Sequence, residues 1–311
     1  MGTRDVVVVV QKDDHSLGYF DFATGEELRR VPLPNYPHEF AISSDGRFAY
    51  SCHFGLKLAE DEGPGGDEVS VVDLAAAKWV RSISCRGWRR PHGIAFDANG
   101  RLYVLSEGSS RLLVIPDPAT GNIARALPTH GSGSHIVAVT RDGAVAFCSN
   151  MFSGSVSVLS PQEEDAPVRV LSAGERPEGS AFDATEQRLL VCNRESADIA
   201  VIDVTRQEIS ARIRTPPGPV RIARRTDAEF VAACYHDRSM IVVDADRGEV
   251  ARRVALPGQP VSVGFDRCSG FALAGLVPSG LCVVDLDAGR IVRTIVTRAG
   301  PDPMVVLQLP L

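Results

Sequence analysis

Short apolar runs, alternating or continuous, recur along the whole chain between turns, and no window sustains the 3.6-residue period of an amphipathic helix. The first run, Val6 to Val10, is closed at once by Gln11, Lys12, Asp13 and Asp14 and reads as a buried strand. Farther on, turns such as Asp45-Gly46, Asn99-Gly100 and Asp142-Gly143 lead into a second run of each group. A third run ends at an acidic residue, as in Val69-Ser70-Val71-Val72-Asp73, Ile199-Ala200-Val201-Ile202-Asp203 and Ile241-Val242-Val243-Asp244. A fourth follows, as in Glu249 to Val254, so the pattern predicts groups of four short strands.

The groups open alike: Pro37-His38-Glu39, Pro91-His92-Gly93, Ser134-His135-Ile136, Pro177-Glu178-Gly179, Pro219-Val220-Arg221, Pro260-Val261-Ser262 and Pro301-Asp302-Pro303. Successive openings lie 41 to 43 residues apart after the first interval, which an acidic, glycine-rich insertion from Leu58 to Gly66 lengthens. Four strands at this period describe an all-β propeller of seven four-stranded antiparallel blades, with residues 1–311 as one domain. Six copies are complete. The seventh is assembled from the two ends, Asp302 to Leu309 supplying its innermost strand and Asp5 to Leu33 the other three, which removes a free edge.

Three stretches, Leu102-Tyr103-Val104-Leu105-Ser106, Phe147-Cys148-Ser149-Asn150 and Leu190-Val191-Cys192-Asn193, combine with the Pro-x-x-h-A openings and the third strands ending near Val-Ile-Asp. In this the chain resembles the YVTN-type seven-bladed β-propellers along nearly its whole length. The resemblance implies the fold and leaves function open, because propellers of this type include lactonases, lyases, redox proteins and binding scaffolds.

Composition narrows the classes. A net charge of -6 gives no reason to expect nucleic acid or an anionic membrane as partner. Val6 to Val10 is too short for a secretory or membrane-spanning segment, which reads as a cytoplasmic protein. Cys52, Cys148, Cys192 and Cys234 fall in or at the end of equivalent strands with no CxxC pair, the pattern of buried reduced thiols.

Candidate chemistry lies where the repeat positions converge. If the copies form a ring, Asp302, His38, His92, His135 and Glu178 meet at one channel mouth, with Val220 and Val261 completing the circle. Imidazoles with one or two carboxylates suit Fe, Mn, Cu or Zn, whereas Mg or Ca would favour an oxygen-rich shell. The expected ligands are therefore His38, His92, His135 and Glu178, with Asp302 as a fifth ligand or as an orienting group. The alternative is that these groups cap strands or hold channel water. A second ring, from the ends of the second strands, holds Lys12, His53, Glu107, Met151, Arg194 and Tyr235 with His236 beside it. His53 and His236 are candidate general acid and base, with Tyr235 a further proton donor. Trp88, Arg89, Arg90, Arg176, Glu107 and Arg194 are candidate contacts to a small anionic or planar substrate.

These features predict a metal-dependent enzyme of the elimination, ring-opening or isomerisation type acting on a small polar or anionic metabolite. The alternatives are an Fe- or Cu-dependent oxidase or oxygenase at the same site, and a non-catalytic binding scaffold.

Overall fold

Apolar runs joined by tight turns pair with their immediate neighbours, which yields antiparallel sheets of consecutive strands. The computed structural model describes residues 2–163 and 165–310, and among them 28 strands form seven four-stranded antiparallel sheets. The first blade joins Arg4–Gln11, Ser16–Asp21 and Glu27–Pro32 to the C-terminal strand Pro301–Leu309. The second contains Pro37–Ile42, Phe48–His53, Glu68–Asp73 and Lys78–Ser84, and the third Pro91–Phe96, Leu102–Ser106, Arg111–Ile115 and Arg125–Pro128. The fourth to seventh blades open with Ser134–Val139, Pro177–Phe182, Pro219–Arg224 and Gln259–Phe265, each followed by three further strands in chain order. This is the seven-bladed all-β propeller that the repeat predicts. No helix among the described residues is long and apolar enough to cross a membrane.

The chain divides into two compact units, one of residues 31–172 and the other of residues up to 30 together with those from 173 onward. The second to fourth blades make the former; the first, fifth, sixth and seventh make the latter.

Within each unit neighbouring blades are joined by side chains from their facing sheets. Leu102 and Val104 of the third blade pack on Tyr50, Cys52 and Val71 of the second. The intervening Tyr103 and Leu105 pack on Val137, Val139 and Cys148 of the fourth. Successive side chains of a strand point to opposite faces, so a strand covered on both faces is apolar along most of its length. The same interleaving joins Val201 to Ile241, Val242 to Ala274, and Val283 to Val9 in the other unit.

Each opening strand departs from regular pairing near its start. Pro37 pairs with His53 and Phe40 with Ser51, and Pro91 pairs with Ser106 and Ile94 with Val104, so the first strand holds one residue more than its partner. The shift recurs in all seven blades, at His38, His92, His135, Glu178, Val220, Val261 and Asp302. A β-bulge of this kind bends the strand and re-aims the side chain within it.

The terminal strands pair as the repeat requires, with Val8 opposite Val305 and Val9 opposite Met304. Met304 is buried against Val7, Val9 and Leu273. Removing residues 301–311 would strip a strand from the first blade and expose the edge of Arg4–Gln11, so this truncation is expected to abolish cooperative unfolding. Met304→Ala, which leaves the strand in place, should cost about 2–5 kcal/mol in a denaturant titration.

All seven cysteines are free; Cys268 is exposed and the other six are buried. Burial pushes the Cys85 and Cys234 thiols up to about 12 and that of Cys282 up to about 11, so they are protonated and unreactive at neutral pH. A thiol reagent should therefore titrate one cysteine in the native protein, and the remainder only in denaturant.

Candidate functional site

Within residues 31–172, the bulges of three consecutive opening strands bring His38, His92 and His135 into one stack. Ring centroids are 4.2 Å apart for His38 and His92, and 3.7 Å apart for the stacked pair His92 and His135. Phe54, buried at the end of the second blade's second strand, meets His38 and His92 edge-on at 5.4 and 5.3 Å. All three imidazoles are buried, His92 completely.

Hydrogen bonds on one side of the stack fix the protonation of two rings. Nδ1 of His92 lies 2.9 Å from the carbonyl oxygen of His135, and a carbonyl oxygen only accepts, so Nδ1 carries the proton. Nδ1 of His135 lies 2.8 Å from Oε2 of Glu107, where it donates to the carboxylate. With Nδ1 donating, the neutral form of each ring would keep its lone pair on Nε2, the form in which histidine binds a metal. Glu107 is itself buried on a short 3-10 turn, Glu107–Ser109, and its backbone N–H donates to the Arg90 carbonyl at 2.9 Å. Potential ligand atoms of His92, Glu107 and His135 all lie within 4.8 Å of one another, as do those of His38, Glu39 and His92.

Strand spacing makes these bonds possible. A Cβ added to Gly93 would lie 2.6 Å from the His135 carbonyl oxygen and 2.9 Å from Cα of Ile136. Glycine thus lets the third blade's opening strand approach the fourth closely enough for His92 to reach that carbonyl. Gly93→Ala should separate the two strands and destabilise the protein by about 1–3 kcal/mol, measured by denaturant unfolding.

His53 ends the second strand of the second blade, opposite Pro37. Its pKa is lowered because burial disfavours the charged ring, an effect that outweighs Glu68 and Asp67 nearby, so His53 is a neutral base at pH 7. The neighbouring candidates have other surroundings. Trp88 packs against the core shared by the second and third blades. Arg89 pairs with Asp67 at 3.0 Å. The Arg90 guanidinium donates to the carbonyls of Ala59, Asp61 and Gly63 at 3.1, 2.8 and 2.8 Å, which fastens the insertion.

In the other unit, Glu178 is surrounded by arginines. Arg194 donates to its Oε1 at 3.3 Å, Arg176 lies 3.5 Å from the same oxygen, and Arg221 lies 3.8 Å from Oε2. Arg221 also lies 3.9 Å from Asp302. The Arg194 guanidinium rests 4.5 Å above the Tyr235 ring, and Nε2 of His236 lies 3.4 Å from Glu195. His236 is solvent-exposed, its side chain at 41%.

The repeat therefore points to the histidine stack, but not to the bond between Glu107 and His135, which spans two blades. Arg221 follows the repeat position held by Val220 and draws no attention in the alignment. The signal for both is adjacency: each is next to, or one blade across from, a residue that the period does identify.

No family model and no curated protein matches the chain. Among solved structures, a functionally unknown protein from Desulfotomaculum acetoxidans DSM 771 is similar over 97% of this chain and 98% of its own, at 11% identity and a TM-score of 0.78. Hydrazine synthase of Kuenenia stuttgartiensis is similar over 94% of this chain and 92% of its own, at 17% identity and a TM-score of 0.72. Likeness at such identities is a likeness of fold, and it agrees with the seven-bladed propeller.

Proposed function

We propose that His38, His92 and His135 bind one divalent transition-metal ion, and that the protein is a metal-dependent enzyme of lyase or isomerase type acting on a small polar metabolite. The observation that carries this reading is that Nδ1 of His92 and of His135 each faces an oxygen acceptor, which would direct metal binding to Nε2 of the neutral rings, with potential ligand atoms of His38, Glu39 and His92 and of His92, Glu107 and His135 within 4.8 Å of one another. Three imidazoles suit Fe, Mn, Cu or Zn. Glu107 would orient His135 and raise its basicity, as carboxylates beside metal-bound histidines do. Glu178 and Asp302 face guanidinium groups, and the proposed centre draws no ligand from them.

When bound, the metal would supply a Lewis acid that polarises a substrate carbonyl. His53, neutral at pH 7, would take the proton from the adjacent carbon. Burial of the histidines would limit the access of water to the reacting groups.

Protein purified without chelators should carry one equivalent of metal by elemental analysis. His92→Ala should remove it, and Glu107→Gln, which deletes no ligand, should weaken affinity about 10- to 100-fold in a chelator competition. Val220→Ala should leave metal content unchanged. Absence of metal together with no affinity for Fe, Mn, Cu or Zn would end this reading in favour of a binding scaffold. Turnover that needs the metal but consumes no dioxygen would support the lyase or isomerase class, and oxygen uptake matching product would replace it with an oxidase.

A further inference from the structure

The bulge that releases His38 releases a second residue with it. Pro37 pairs with His53 and Phe40 with Ser51, so His38 and Glu39 together stand opposite Cys52. The equivalent pairs are His92 and Gly93 opposite Leu105, and Glu178 and Gly179 opposite Cys192. Regular alternation would send two consecutive side chains to opposite faces of the sheet, and a bulge relaxes that rule.

The second position of each pair faces the next blade. A Cβ on Gly93 would meet the His135 carbonyl oxygen at 2.6 Å, and one on Gly179 would meet the Val220 carbonyl oxygen at 2.7 Å. Glu39 holds this position in the second blade, and the next blade is the one that carries His92. Its carboxylate accordingly lies beside two of the stacked imidazoles: potential ligand atoms of His38, Glu39 and His92 are all within 4.8 Å of one another. That separation is close to twice a metal–ligand bond of about 2.0–2.2 Å, the spacing of two donors on one ion.

Other carboxylates near the channel mouth are engaged elsewhere. Glu107 accepts from Nδ1 of His135 at 2.8 Å, Glu178 accepts from Arg194 at 3.3 Å, and Asp302 lies 3.9 Å from Arg221. We infer that Glu39 is the carboxylate ligand of the centre formed by His38, His92 and His135, completing a set of three imidazoles and one carboxylate. This rests on the metal reading above and narrows it. A carboxylate oxygen is a hard donor that suits manganese, whereas three imidazoles alone already make a zinc site. Loss of Glu39 therefore weakens manganese more than zinc, while loss of an orienting residue, which acts through a ligand that both ions share, weakens the two alike.

Affinities of the full chain for manganese and for zinc, measured by chelator competition on protein stripped of metal and reloaded with each ion, test the assignment. In Glu39→Gln, manganese affinity should fall more than about 100-fold, beyond the loss caused by removing an orienting carboxylate, and zinc affinity should fall less. Retained zinc binding shows in the same sample that the variant is folded. Glu107→Gln should weaken both ions to the same extent. Infrared difference spectra of the wild-type protein on manganese loading should show a carboxylate band shift, a readout that does not depend on any variant folding. Zinc weakened as much as manganese in Glu39→Gln, no weakening of either ion, or no carboxylate shift in the wild type would overturn the assignment of Glu39 and leave the histidine centre standing. A wild-type protein that binds neither ion would overturn both.

Discussion

The extra residue in each opening strand is the constraint on which the candidate chemistry depends. In a regular strand the side-chain alternation is rigid, and any residue is committed to one face of the sheet. The bulge removes one position from that commitment. Downstream of it, Ile94 and Phe96 still pack against the core shared by the second and third blades, while His92 is released into the histidine stack. Core and site therefore share a strand without sharing a code. The same backbone position can hold histidine, glutamate, aspartate or valine, as it does around the seven blades.

Close approach of neighbouring opening strands is the second requirement, and glycine provides it twice in the same way. Gly93 follows His92 and Gly179 follows Glu178, and in both cases a Cβ would collide with the backbone of the next blade. In one place this lets an imidazole reach a carbonyl oxygen; in the other it sets an arginine against a carboxylate. Polar groups at both places are buried, so each needs a partner within reach, and the spacing supplied by glycine determines which partner it finds.

Most of the fold is legible in the sequence because the strands are buried on both faces. Runs such as Ile199 to Ile202 and Ile241 to Val243 are apolar without interruption, and their spacing marks the blades even where the turn residues vary. The terminal pairing of Val9 with Met304 is legible for the same reason, since a seventh group is missing from the middle and present at the ends. The site is less so. Periodicity identifies equivalent positions within blades, which is why His38, His92 and His135 stand out together. It is blind to contacts made sideways between blades. Glu107 looks like a rim residue facing substrate, yet lateral packing sets it on His135. Arg90, adjacent to the His92 strand, looks equally free to bind an anion, yet the insertion has carbonyl oxygens that need donors, and Arg90 supplies them.

That last arrangement bears on how the protein can change over evolutionary time. Arg90 recognises main-chain oxygens of Ala59, Asp61 and Gly63, atoms that every amino acid possesses. The anchoring of the insertion is therefore largely indifferent to the side chains it displays. Residues there can be exchanged with little loss of loop shape, and the segment becomes a place where new surface specificity can be tried while the strand that begins one residue after Arg90 and carries His92 stays as it is.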